Sequence, residues 1–208
     1  MMYRLMCALA RAVLGFYFFT LKGLRCEGVD NIPKEGAVIV APNHKSNFDP
    51  PAIGVCSPRI IHYMAKEELF RNPVFAAAIR YFGTFPVKRG AVDRGAVRQA
   101  LKEIKEGHPL GIFPEGTRTH GSRIGRFHDG MASIALMTGT PILPVAVIGT
   151  EHLPKKDGPL AVVFGTPIPV EKTKPTPEKI AEVNGAVREE LLKLRAEYYE
   201  KTGYAPKD

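Results

Sequence analysis

AVIVAPNHKSNFDPP, residues 37–51, sets the frame for the rest of the chain. Its first six residues form an unbroken apolar run with β-branched side chains, which reads as a buried strand. The run ends at Pro42 and gives way to a polar loop, NHKSNFD. Asp49 is then placed as an N-cap, with Pro50 at the first helical position, where a missing N–H costs nothing. A buried strand feeding a polar loop and then a helix is the repeating unit of an α/β protein.

Other segments extend the pattern. RIIHYMA (59–65), GTFPV (83–87), PLGIF (109–113), PILPVAVIG (141–149) and LAVVFG (160–165) read as further strands, several closed by glycine. Asp93 caps a helix in which Val97, Ala100, Leu101 and Ile104 share a face and which Gly107 ends. Residues 130–138 form a short apolar helix. From Thr176, with Pro177 next, Ile180, Val183, Val187, Leu191, Leu194 and Tyr198 mark a long amphipathic helix. Strands alternating with helices predict one α/β domain with a mixed, largely parallel sheet flanked by helices. In such sheets function gathers in loops beyond strand ends.

The 208 residues suffice for one domain, and no repeat or linker divides them. Cys7, Cys26 and Cys56 are scattered, with no C-x-x-C spacing, so reduced thiols and no metal framework are expected. A net charge of +8 asks for an anionic partner. Lys and Arg are dispersed and no RNA-binding aromatic signature is present, which argues against nucleic acid.

The N-terminus points to lipid instead. Residues 5–21, LMCALARAVLGFYFFTL, are apolar except for Arg11 and Thr20. On a helix, Arg4, Arg11, Gly15 and Lys22 fall on one stripe, and Phe16, Phe18 and Phe19 share the apolar remainder. An arginine at the bilayer centre would cost about 3 kcal/mol, so a helix lying in the interface, basic stripe towards the headgroups, fits better than a spanning one. A core helix and a signal segment are the other readings. The interfacial reading divides the chain into a membrane-associating helix, 1–24, and a domain, 25–208.

Three loops carry candidate chemistry. In the first, His44 sits among polar neighbours where a core histidine would not be placed. If Asp49 accepts from one ring nitrogen, the other is left as a general base; spacing alone does not separate this from an incidental pair. In the second, FPEGTRT (113–119), Gly116 permits a tight turn. Glu115 and Arg118 either pair as surface charges or present the guanidinium to a phosphate. In the third, PVKRG (86–90), Lys88 and Arg89 are a solvated basic turn or a second phosphate contact. No G-x-S-x-G elbow is present, so the attacking hydroxyl belongs to a substrate.

Together, and in order, these loops resemble the glycerolipid acyltransferase family in its PlsC-type, 1-acyl-glycerol-3-phosphate branch. NHKSNFD matches its N-H-x-S-x-x-D motif, GTFPVKRG its arginine turn, FPEGTRT its F-P-E-G-T-R-S motif with Thr119 for serine, and ILPVAVIGT its proline-containing strand. The likeness covers roughly residues 25–170. FHDG (127–130) departs from it, since His128 stands where the family often has lysine.

The resemblance implies acyl transfer from acyl-CoA or acyl-carrier protein to the sn-2 hydroxyl of lysophosphatidate, forming phosphatidate, at the cytoplasmic face of the cell membrane, without metal or further cofactor; another lysolipid or an aminolipid is the alternative acceptor, and a non-catalytic basic membrane-binding protein the alternative class. His44 and Asp49 would be catalytic. Glu115, Gly116, Thr117 and Arg118, with Lys88 and Arg89, would hold the substrate phosphate, and Asn43, Ser46 and Pro144 would support the motifs. Apolar surface near the N-terminal helix would take acyl chains.

Overall fold

A computed structural model describes residues 11–87, 93–119, 123–155 and 157–204. Seven strands form one sheet: β1 (Arg25–Glu27), β2 (Val38–Pro42), β3 (His62–Lys66), β4 (Phe85–Val87), β5 (Pro109–Gly111), β6 (Ile142–Ile148) and β7 (Ala161–Phe164). Their spatial order is β1-β7-β6-β2-β5-β3-β4. Every neighbouring pair is parallel except β6 and β7. The mixed, largely parallel sheet is therefore as expected, with β1 and β7 reversed at one edge.

β2 lies inside the sheet between β6 and β5, and all five of its residues are buried. Its side chains alternate between two cores, as the pleat requires. Val38 and Val40 join Phe18, Ile53, Leu143 and Val145 on one face. Ile39 and Ala41 join Leu110, Met131, Val187 and Leu191 on the other. Helices α4 (Arg94–Lys105), α5 (Asp129–Thr138) and α6 (Pro177–Thr202) cover the second face, and α2 (Asp49–Cys56) packs on the first. The expected caps are present: Asp93 accepts from Gly95 and Ala96 N–H, and Thr176 from Lys179 N–H.

β1 and α3 (Pro73–Tyr81) have no counterpart in the sequence reading. β1 is a three-residue edge strand, too short to show a period of two. On α4 the buried residues are Ala96, Ala100 and Glu103, so the inward face is turned towards a glutamate that periodicity assigns to solvent. The cysteine expectation is also corrected, because Cys26 and Cys56 are joined as a disulfide between β1 and the end of α2. Their separation of 30 residues gave no spacing signal, and only the packing of α2 beside β1 brings them together.

The N-terminal segment differs most from its helical projection. Residues 11–15 are α-helical and then widen into a π-helical turn, Phe16–Leu21; together these are α1. A π-turn shifts register, so the stripe drawn at 100° per residue fails beyond Gly15. Phe18 is fully buried in the core, and Leu14, Tyr17 and Leu24 pack there too. Arg11 does not face headgroups, for its guanidinium donates to the Ser57 carbonyl at 2.8 Å. Lys22 donates to the Pro154 carbonyl. Residues 11–24 thus pack on the sheet through Leu14, Tyr17, Phe18 and Leu24. What faces outward is Val13, Phe16, Phe19 and Leu21. Arg4 lies outside the described residues. Among the described residues, no helix is long and apolar enough to cross a membrane.

Candidate active site

The loops after β2, β5 and β6 meet because these strands are parallel neighbours and end at the same edge. Asn43, fully buried, continues the β2–β6 ladder with its side chain. Its amide nitrogen donates to the Val147 carbonyl at 2.9 Å and its oxygen accepts from Val147 N–H at 2.7 Å. Pro144 pairs with Ala41 in the middle of β6. Its missing N–H falls on the side of β6 where regular pairing with β7 begins only at Val145, and Gly165 N–H donates to its carbonyl. A proline inside a sheet is tolerated at such a break.

His44 and Asp49 are brought together. His44 Nδ1 donates to Asp49 Oδ2 at 2.7 Å, a side chain with no solvent exposure. The same oxygen accepts from Lys45 N–H at 2.7 Å and Ser46 N–H at 2.9 Å. Oδ1 accepts from the buried hydroxyl of Thr150, just beyond β6. Four donors thus hold a carboxylate that burial would otherwise destabilise severely. The Ser46 hydroxyl accepts from Phe48 N–H and tightens the turn.

The capping expectation for Asp49 is corrected. Phe48 is the N-cap and Asp49 the first helical residue. Pro50 and Pro51 offer no N–H, and Ala52 N–H donates to the Phe48 carbonyl, so the carboxylate turns back into the loop.

In the second loop, the Glu115 carboxylate is buried at 2% exposure. Oε1 accepts from His44 N–H at 2.8 Å and Oε2 from Gly125 N–H at 2.6 Å. Both oxygens are taken by backbone N–H groups, so Glu115 braces the histidine loop and turns neither oxygen's contact towards a phosphate. The expected phosphate role is corrected for this residue. Gly116 has φ 63°, and a Cβ there would stand 2.9 Å from the His128 ring. Glycine is required on both counts. Thr117 and Arg118 are exposed at the loop's tip, open to an anion. Lys88 and Arg89 lie outside the described residues, immediately after β4.

Four neighbours escaped the sequence reading. The Phe113 ring lies 4.0 Å from that of His44, with Tyr63 stacked behind it at 5.8 Å. Lys45 is 6% exposed, and its ammonium donates to the Thr119 hydroxyl and the Arg123 carbonyl. Desolvation, then the charge of Arg195, lowers its pKa against the opposing pull of Glu115, Glu151 and Asp49. Thr150 was visible only as the end of ILPVAVIGT. Nothing local marks a threonine as the partner of an aspartate 101 residues earlier. Among the described residues, the one grouping of three metal-ligating side chains lies elsewhere, at the opposite edge of the sheet.

The chain is similar in sequence and in overall structure to known proteins. A family model described as "Acyltransferase" matches residues 23–148. The 1-acyl-sn-glycerol-3-phosphate acyltransferase of Bacillus subtilis is 30% identical over 177 residues, 83% of this chain and 88% of that protein. The enzyme of the same name from Borreliella burgdorferi is 36% identical over 129 residues, 60% of this chain and 51% of that protein. The crystal structure of the 1-acyl-sn-glycerophosphate acyltransferase PlsC from Thermotoga maritima superposes with a TM-score of 0.68 at 30% identity. It covers 83% of this chain and 72% of that one.

Proposed function

The chain belongs to the acyltransferase family, and we propose that it moves a fatty acyl group from a thioester to the sn-2 hydroxyl of 1-acyl-glycerol-3-phosphate, forming phosphatidate. The observation that carries the mechanism is the buried Asp49 carboxylate on His44 Nδ1. With Nδ1 donating to Asp49, Nε2 is the basic nitrogen.

The acceptor hydroxyl gives its proton to Nε2 as its oxygen attacks the thioester carbonyl carbon. The imidazolium so formed is stabilised by Asp49. Collapse of the tetrahedral intermediate breaks the C–S bond, and the departing sulfur takes the proton back from Nε2, leaving the ester and a free thiol. General-base help of this kind is worth about 10²–10⁴ in rate. Arg118, on the Gly116 turn, holds the acceptor phosphate through its planar fork, and Arg89 and Lys88 are candidates for a second contact. The thioester is acyl-CoA or acyl-carrier protein, and the reaction draws on no other cofactor.

The enzyme works at an anionic membrane surface, on its cytoplasmic face, as a peripheral or monotopic protein. Phe16 and Phe19 are exposed on α1, whose inward residues Tyr17 and Phe18 pack on Phe48, next to Asp49. A helix so placed brings the catalytic loop to the lipid from which the acceptor comes.

The test is a mass-resolved assay of purified protein with lysophosphatidate and each thioester class. Phosphatidate and an equal amount of free thiol are expected. Acylation of a neutral or zwitterionic lysolipid, with lysophosphatidate untouched, would overturn the acceptor assignment.

A further inference from the structure

At the end of the sheet away from His44, three side chains from three segments converge. His62 opens β3, Glu103 lies on the buried face of α4, and His108 immediately precedes β5. Glu103 Oε2 accepts from His62 Nδ1 at 2.7 Å and from His108 Nδ1 at 2.8 Å. The three candidate ligand atoms all lie within 4.8 Å of one another. We propose that His62, Glu103 and His108 form a binding site for a divalent transition-metal ion, with zinc the best match to two imidazoles and one carboxylate.

The geometry is close to what zinc requires. Zn–N and Zn–O bonds of about 2.0–2.2 Å at tetrahedral angles place neighbouring ligand atoms ~3.3 Å apart. The His–Glu separations of 2.7 and 2.8 Å need a small opening and the two imidazole nitrogens, within 4.8 Å of each other, need to close towards the ion, with each imidazole moving its proton from Nδ1 to Nε2. The fourth position falls to water, as in open His₂Glu sites. His108 is 40% exposed and gives an ion a way in, whereas Glu103 is 9% exposed.

The surroundings hold the ligands in place. Gln99 donates to the other oxygen of Glu103 at 2.5 Å, the kind of outer contact that orients a metal-binding carboxylate. The His62 ring lies against Gly83, where a Cβ would stand 2.3 Å from Cδ2. His108 N–H donates to the Glu103 carbonyl at 3.0 Å, which fixes the turn carrying both ligands. The Glu106 carboxylate, 3.7 Å from His108 Nδ1, adds negative charge.

The site is separate from catalysis. His62 pairs with Leu110, and Leu110 with Ile39. The cluster is therefore level with a residue five positions before His44, about 16 Å away along the strand alone. An ion here would tie β3, α4 and the start of β5 together.

The experiment uses untagged full-length protein, stripped with a chelator and titrated with zinc chloride by calorimetry and with cobalt(II) by visible absorption. One ion per chain and the d–d bands of tetrahedral cobalt are expected. His108→Ala should weaken zinc binding roughly 100-fold or more, and Gln99→Ala by about 10–100-fold. His44→Ala should bind as the wild type does. Circular dichroism and retained acyl transfer would show that His108→Ala is folded. No binding by the wild type, or binding that survives both His108→Ala and Glu103→Gln, overturns the proposal. So does binding abolished by His44→Ala.

Discussion

Replacing Asp49 by asparagine removes a charge and scarcely changes volume, so it isolates the electrostatic part of the dyad. Wild-type Oδ2 takes three donors, from His44, Lys45 and Ser46, while Oδ1 takes the Thr150 hydroxyl. An asparagine oxygen can occupy only one of these positions. On the three-donor side it preserves the fold, and its NH₂ faces a threonine hydroxyl able to turn and accept. What it cannot preserve is support for the imidazolium. At the 2.7 Å contact and an effective dielectric of about 20, Coulomb's law gives ~6 kcal/mol. Charge spread over both groups brings this nearer the ~4 kcal/mol expected for centres 4 Å apart. At about 1.4 kcal/mol per factor of ten, kcat should fall about 10³-fold. The KM for the acceptor should hold, because Arg118 is untouched. Thiol release at saturating lysophosphatidate measures this directly. A kcat within tenfold of wild type, in a variant with wild-type circular dichroism, would refute the electrostatic role.

Other consequences are as specific. Glu115→Gln can satisfy His44 N–H or Gly125 N–H but not both, so stability should drop by about 1–3 kcal/mol in denaturant unfolding. Its acceptor KM should change less than that of Arg118→Ala; the reverse order would restore Glu115 to phosphate binding. Phe16→Ser with Phe19→Ser exposes no core and should reduce co-sedimentation with anionic vesicles while leaving thermal stability intact. Unchanged sedimentation would remove α1 as the contact. Burial pushes the Glu103 carboxyl up, but hydrogen bonds from His108, His62 and Gln99 outweigh this and hold it below 4.5. A carboxylate depressed in the folded state stabilises the protein above its unfolded pKa and loses that contribution as pH falls through the folded value. Unfolding free energy should therefore decline more steeply below pH 4.5 in the wild type than in Glu103→Gln. Parallel curves would contradict it.

The His44–Asp49 pair, five positions apart, was legible in sequence through the ordered motifs around it, since its spacing alone left an incidental pair open. Most strands were legible because their apolar runs are bounded by glycine or proline. What the sequence hid is what tertiary contact decides. The Thr150 hydroxyl and the Asn43 side chain reach their partners only because β6 lies beside β2. Glu115 was expected at the phosphate because FPEGTRT resembles the family motif, and only the fold shows its carboxylate turned inward. Phe18 was misplaced because a π-turn breaks the period on which a helical projection rests, and Arg11 because only the fold brings the Ser57 carbonyl to its guanidinium. Glu103 drew no notice in sequence because burial of a charge is legible only once its partners, 41 residues earlier and five later, are in view.

The measurement that bears most directly on the mechanism is single-turnover acyl transfer by His44→Ala beside lysophosphatidate binding to the same protein. With Nε2 as the base, the chemical step should slow by about 10²–10⁴ while acceptor affinity stays near wild type. A variant that binds lysophosphatidate and transfers the acyl group at the wild-type rate would contradict it.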